Sequence, residues 1–253
     1  MKTVLITGAT EGIGFEFSKL FVNKGFNLVL VARNEKKLNE MSNQFSAEGI
    51  NVRIYAKDLG ILENPKFIYE DLKQKHIDID YLINNAGFGI NCNFTDINWE
   101  YELQMYNLNM ITLSYFTKVF AQDMLKRKFG RILNLASTGS FQPGPHMAGY
   151  CATKAFVLSL SQAVNNELKG TNVSVTTLCP GITDSKFHDV ANTQKTMMSR
   201  FLTHATPKEV AEYGFKIMQK RKSFGVQGLM NKFVVFSGRL TPRNLLVSMT
   251  GNY

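Results

Sequence analysis

The sequence predicts an α/β fold: a doubly wound, mostly parallel seven-stranded sheet with helices on both faces, in a single domain spanning residues 1–253. Three observations carry this expectation. Short apolar runs alternate with longer amphipathic stretches, the signature of successive βα units. Each run is short and apolar enough to be buried on both faces, as strands of a parallel sheet are. No internal repeat, low-complexity tract or linker divides the chain.

In chain order, TVLIT (3–7) is the first strand candidate, and a helical pattern over 12–24 follows it. NLVLVA (27–32) precedes a helix over 34–47, and VRIYA (52–56) precedes one over 65–75. DYLINNA (80–86) leads into a long helical stretch over 98–127, and RILNLA (131–136) into a helix over 151–169. SVTTLC (174–179) and the weaker FGVQG (224–228) complete the strands, with a helix over 207–221 between them. That helix has a marked start, because Thr206, Pro207 and Glu209 supply N-cap, first-turn proline and capping-box acid in order.

Composition narrows the function classes. At 253 residues the chain is long enough for one large layered core. Its 44% hydrophobic and 19% charged content is ordinary for a globular protein, and no run approaches the roughly 18–20 apolar residues of a membrane span. MKTVLITGAT lacks a signal-peptide layout, so a cytoplasmic location is expected. Cys92, Cys151 and Cys179 show no Cys-x-x-Cys spacing, and the four histidines show no metal-ligand spacing. Neither a disulfide framework nor a metal site is expected. The cations behind a net charge of +9 are scattered along the chain, which argues against nucleic acid and suits an anionic small ligand.

The segment TVLITGATEGIGFEFSKLF passes from strand to helix through Thr7, Gly8, Gly12 and Gly14. Glycines there permit a tight turn and let backbone N–H groups approach a pyrophosphate seated at the positive end of the helix. The spacing G-x-x-x-G-x-G differs from the commoner G-x-G-x-x-G. Placement in the first strand, first turn and first helix is what makes it a dinucleotide cradle rather than an ordinary glycine turn.

Thr7-Gly8-Ala9-Thr10-Glu11-Gly12-Ile13-Gly14 resembles the T-G-x-x-x-G-x-G segment of the short-chain dehydrogenase/reductase family, and further motifs of that family follow in order. NNAG (Asn84 to Gly87) ends the fourth strand and Asn109 lies in the long helix after it. Ser137 ends the fifth strand, Tyr150 and Lys154 open the next helix, and Pro180-Gly181 ends the sixth strand. The likeness covers roughly residues 1–190. It implies a Rossmann-like fold and an oxidoreductase with a nicotinamide cofactor. It also implies catalytic roles for Asn109, Ser137, Tyr150 and Lys154. Cofactor contacts are implied at Thr7, Gly8, Thr10, Glu11, Gly12, Ile13 and Gly14, and at Arg33, Asp58 and Leu59. Further contacts are implied at Asn85, Ala86, Gly87, Tyr150, Lys154, Pro180, Gly181, Ile182 and Thr183.

The tyrosine–lysine spacing of four occurs twice. Tyr69 and Lys73 fall mid-helix with Glu70 and Asp71 between them, and read as a solvated helix face. Tyr150 and Lys154 begin a helix shortly after a strand end, where ligands bind in an open α/β sheet. Residues four apart on a helix face the same way, so the Lys154 ammonium is expected to lower the Tyr150 phenol from about 10 toward working pH. Tyr150 then acts as general acid in carbonyl reduction or as base in alcohol oxidation. Ser137 polarises the substrate oxygen, and the family resemblance assigns Asn109 to a water that links Lys154 to solvent. Either residue taken alone reads as a cap or turn former.

The second strand ends LVLVARNEKKL, with Arg33 where an acidic residue would hold a free ribose. A guanidinium fork suits a 2′-phosphate, which favours NADP(H) and leaves NAD(H) as the alternative. Many NADP-dependent members of the family carry a basic residue where this chain has Glu11, and that carboxylate is expected to face solvent or pair with Arg33. Asp58 resembles the residue that meets the adenine amino group.

The substrate side is expected to be walled by STGSFQPGPHM (137–147) and by residues 182–204, read as a lid. Phe187, Met197, Met198 and Phe201 form an apolar cover or pack the adjoining helix. Phe88, Phe141, His146 and Met147 are further pocket candidates, and an apolar ketone or secondary alcohol, oxoacyl- or hydroxysteroid-like, fits best. A cofactor-sensing binding protein of the same fold is the alternative, although it would not need Ser137, Tyr150 and Lys154 together. The tail after residue 230, apolar with basic flanks, is expected to pack on its own domain, with a membrane surface or a partner subunit as the alternatives. The helix over 151–169, apolar on more than one side, points to a homodimer or homotetramer.

Overall fold

A computed structural model describes residues 1–183 and 205–251. Seven strands form one sheet: β1 (Thr3–Thr7), β2 (Asn27–Ala32), β3 (Val52–Ala56), β4 (Tyr81–Asn84), β5 (Gly130–Leu135), β6 (Val173–Cys179) and β7 (Phe224–Val226). Their order is β3-β2-β1-β4-β5-β6-β7. Every pairing is parallel, so all seven carboxyl ends open on one edge of the sheet. The winding reverses between β1 and β4, and the crevice at that switch point is where such sheets bind ligands.

Helices α1 (Gly12–Val22), α2 (Glu35–Ser46) and α7 (Pro207–Gln219) cover one face, while α3 (Glu63–Gln74), α5 (Leu113–Lys126) and the end of α6 (Ala148–Glu167) cover the other. Strand residues divide between the two cores by strict alternation. Val4, Ile6, Leu28 and Leu30 join the first cluster, and Leu5, Val29 and Val31 the second. This two-sided burial is why the strands read as unbroken apolar runs. The capping box of Thr206 and Glu209 at the start of α7 is formed as expected.

The stretch expected as one helix over 98–127 is three pieces. α4 (Trp99–Tyr106) and α5 flank a π-helical turn (Asn107–Thr112). The wider turn faces two polar side chains inward: Asn109 and Thr112 are 0% and 3% exposed. Thr112 Oγ1 donates to the Leu59 carbonyl at 2.7 Å, which offsets the irregular backbone.

Tyr69 and Lys73 are not a simple solvated face. Both reach from α3 to Asp123 on α5, Tyr69 Oη at 3.0 Å and Lys73 Nζ at 3.1 Å. Burial and the Asp123 carboxylate push the Tyr69 phenol up to about 12. This pair is a clamp between two helices, remote from the strand ends.

A buried polar chain ties the centre of the sheet to the helices behind it. Asn84 Nδ2 donates to Asn134 Oδ1 at 2.9 Å and to Thr117 Oγ1 at 3.1 Å, and Asn134 Nδ2 donates to Ser161 Oγ at 2.9 Å. These groups satisfy one another in a low-dielectric interior, which fixes β4, β5, α5 and α6 in register.

Candidate active site

Gly8 and Gly12 take φ of +65° and +52°, a region open to glycine but strained for other residues. Gly8 N donates to the Val31 carbonyl at 2.8 Å, folding the turn back over the end of β2. A Cβ on Gly14 would overlap the Gly8 carbonyl oxygen and lie 2.6 Å from Asn85 Nδ2, so only glycine lets α1 start this close to β1. Glu11 is the N-cap of α1 yet makes no side-chain cap bond. The first N–H groups of α1 thus lack a side-chain cap and face the crevice, with the positive helix end behind them. This cradle fits a dinucleotide pyrophosphate. Thr10 is buried beside it and Ile13 packs on the core.

Thr7 and Asn85 turn out to be the scaffold of that cradle. Thr7 Oγ1 accepts from the N–H groups of Asn85 and Ala86, at 3.0 and 2.9 Å, and Asn85 Nδ2 donates to the carbonyls of Thr7 and Gly8, at 2.9 and 3.2 Å. Of the two asparagines in NNAG, the first belongs to the buried chain and the second clamps the glycine turn.

Arg33, at the end of β2, has a side chain 77% exposed and a guanidinium 3.9 Å from Asp58. Glu11 pairs with Lys37 at 3.6 Å, so the expected alternative of a Glu11–Arg33 pair is replaced by a pairing across to α2. Asp58 Oδ1 accepts from Gly60 N at 2.8 Å, while Leu59 is buried with its carbonyl held by Thr112.

On the other side of the crevice, Ser137, Tyr150, Lys154 and Asn109 converge. Ser137 Oγ accepts from Gly139 N at 3.1 Å, capping a short 3-10 turn (Thr138–Phe141), and also shares a hydrogen bond with the Tyr150 phenol. The turn-forming reading of Ser137 is thus realised, and the same hydroxyl lies against the Tyr150 phenol. Tyr150 lies in the first turn of α6 and Lys154 one turn further, with the ammonium 5.7 Å from the Tyr150 ring centroid. Lys154 Nζ donates to the Leu135 carbonyl at 2.9 Å, and its own carbonyl accepts from Ser140 Oγ at 2.8 Å. Asn109 Nδ2 donates to Phe88 O at 2.9 Å and to Thr153 Oγ1 at 3.1 Å. Its Oδ1 accepts from Phe88 N at 3.2 Å. The point where a Gly87 side chain would begin lies 2.9 Å from Asn109 Oδ1 and 3.4 Å from Lys154 Nζ, so a bare glycine keeps the space between them open.

The electrostatics differ from the expectation. Burial pushes the Tyr150 phenol up, and the Ser137 hydrogen bond only partly offsets it. Burial also pulls Lys154 down to about 8, opposed by the neighbouring Cys179. Desolvation disfavours phenolate and ammonium alike, and here it exceeds what one turn of helix between them supplies.

Pro180, Gly181, Ile182 and Thr183 close the β6 end. Thr138 N donates to Pro180 O at 2.9 Å, and Ala205 N donates to Ile182 O at 3.2 Å. Among the pocket candidates, Phe88 is half-buried with its ring 5.2 Å from Tyr101, and Phe141 stands 6.2 Å from Phe224. His146 is exposed with φ of +62°, a loop residue. The lid reading of 182–204, with Phe187, Met197, Met198 and Phe201, falls from residue 184 onward outside the described residues. Thr153, Ser140 and the Leu135 carbonyl were not legible as site groups in the sequence. Their signal is positional only, one residue beside Lys154, three after Ser137 and two before it.

A family model described as short chain dehydrogenase matches residues 2–196. An uncharacterized oxidoreductase of Staphylococcus epidermidis is 32% identical over 188 residues, 73% of this chain and 79% of that protein. A very-long-chain 3-oxoacyl-CoA reductase of Mycosarcoma maydis is 33% identical over 178 residues, 69% of this chain and 51% of the relative. Among solved structures, a short-chain dehydrogenase from Sphingobium yanoikuyae in complex with NADPH is similar with a TM-score of 0.84 at 27% identity, over 95% of this chain and 94% of that one.

Proposed function

The chain belongs to the short-chain dehydrogenase/reductase family of oxidoreductases acting on CH–OH and C=O groups, and from that premise we propose that it is an NADP(H)-dependent reductase of apolar ketones. The observation that carries this reading is the meeting of Ser137, Tyr150 and Lys154 beside the crevice that the glycine turn opens. When bound, the nicotinamide supplies or accepts a hydride at its C4. Gly8, Gly12 and the N-terminus of α1 would hold the pyrophosphate, and Arg33 would meet the 2′-phosphate. Ser137 donates to the carbonyl oxygen, and Tyr150 delivers the proton that oxygen needs as the carbon accepts a hydride. At working pH the phenol carries the proton that the reductive direction requires. Lys154 carries positive charge behind the phenol, and Asn109 would position a water that links Lys154 to solvent.

The substrate reading rests on half-buried Phe88 and Phe141, in the loops that follow β4 and β5, and on the 3-oxoacyl-CoA reductase relative. An oxoacyl- or hydroxysteroid-like ketone suits such walls. α6 exposes Ala152, Ala155, Phe156 and Ala163, a face suited to close pairing with a second copy in a homodimer or homotetramer.

The test is a panel of ketones assayed with NADPH and with NADH. Arg33→Ala is expected to weaken NADPH binding roughly 10- to 100-fold, the worth of one charge-assisted contact, and to leave NADH binding nearly unchanged. Fluorescence titration reads both. Unaltered NADPH affinity would remove the NADP assignment, and a panel without any reduced ketone would remove the substrate class.

A further inference from the structure

The last two helices, α8 (Leu229–Leu240) and α9 (Arg243–Gly251), leave several of their large apolar residues facing outward. Leu229, Phe233, Phe236 and Leu240 are 84%, 66%, 61% and 74% exposed. Their spacing of four, three and four puts them on one side of α8, while Asn231 and Val235 on the opposite side are buried. Leu245 and Met249, four apart on α9, are exposed as well. Single exposed hydrophobics are ordinary, but a continuous row of large ones marks a docking face.

Charge identifies the occupant. From Tyr213 to Tyr253 the sequence contains no Asp or Glu, yet it carries Lys216, Lys220, Arg221, Lys222, Lys232, Arg239 and Arg243. At about 100° per residue, Lys232 and Arg239 fall together on one flank of the apolar row, beside Phe236. Long cationic side chains beside an apolar stripe suit an interface where carbon is buried and charge stays among phosphates. A second copy would instead bring the same cations together across a two-fold axis with no acid from this segment to offset them. No helix among the described residues is long and apolar enough to cross a bilayer, so the helices would lie in its surface.

We propose that α8 and α9 form a peripheral docking face for an anionic membrane surface. The face is built onto the substrate side of the crevice. Asn231 fills the space that a side chain on Gly181 would need, and Thr250 Oγ1 donates to the Pro143 carbonyl at 3.0 Å. An apolar ketone dissolved in the bilayer would thus meet the crevice close to the surface. Docking itself stands apart from the identity of the substrate.

The experiment is co-sedimentation of the full chain with phosphatidylcholine vesicles, with and without phosphatidylserine. Binding is expected with the anionic vesicles and to fall with salt. Phe233→Ser/Phe236→Ser is expected to abolish it, and Lys232→Glu/Arg239→Glu to weaken it at least about tenfold. Both double variants should keep the parent's ketone reduction and its mass by light scattering. Absent binding, or equal binding to both vesicle types, would overturn the proposal. So would dissociation of an oligomer by Phe233→Ser/Phe236→Ser, which would make the face a contact between copies. If the phenylalanine variant fails to fold, the charge variant alone decides.

Discussion

Tyr150→Phe is expected to slow ketone reduction by about 10²- to 10⁴-fold, the usual contribution of a positioned general acid, while NADPH affinity stays nearly unchanged. The substitution removes one oxygen and keeps the ring. Lys154 retains its bond to the Leu135 carbonyl and Ser137 retains its bond from Gly139 N, so the surrounding backbone has no reason to move. What disappears is the phenolic hydroxyl beside Ser137 and the proton it carries. Steady-state kinetics beside a fluorescence titration separate the chemical step from cofactor binding. A parent-like rate would mean that another group delivers the proton.

Gly14→Ala is expected to abolish cofactor binding and to cost about 1–3 kcal/mol of stability, as overpacking does when neither neighbour can yield. The new methyl group meets the Gly8 carbonyl oxygen on one side and Asn85 Nδ2 on the other. Neither is the end of a loose side chain. Gly8 is held by its bond to Val31 O, and the Asn85 amide is held by Thr7 and Gly8. Relief requires α1 to move away from β1, and that movement takes the helix N-terminus out of the crevice. A thermal melt with and without NADPH reads both effects. An unshifted Tm with parent-like cofactor stabilisation would contradict the cradle.

Much of this was legible in the chain because it depends on local pattern. Val4 and Ile6 face one core and Leu5 the other, so β1 had to be apolar throughout, and the same holds along β2. The glycine turn shows because its backbone needs residues without side chains. The π turn at Asn107–Thr112 did not show, since one inserted residue leaves an amphipathic pattern intact. It is held by partners distant in sequence, Phe88 and Thr153 for Asn109 and Leu59 for Thr112. The Tyr69–Lys73 pair was misread for a similar reason, because its partner Asp123 lies 50 residues beyond Lys73. Spacing brings an ammonium near the Tyr150 phenol, whereas the opposing loss of water by both groups shows only in the folded interior. The tail is amphipathic on inspection, yet which of its faces stays open depends on how it seats against Gly181 and Pro143.

The most direct test follows the two transferred hydrogens separately. Parent enzyme and Tyr150→Phe are each given a ketone from the panel and NADPH deuterated at nicotinamide C4, and the alcohol is analysed by mass spectrometry and NMR. The parent is expected to place deuterium on the carbinol carbon, and Tyr150→Phe, with its cofactor bound, to yield at most a trace of that alcohol. Labelled alcohol formed by Tyr150→Phe at the parent's rate, or parent product free of deuterium at that carbon, would contradict a hydride and a phenolic proton meeting across this crevice.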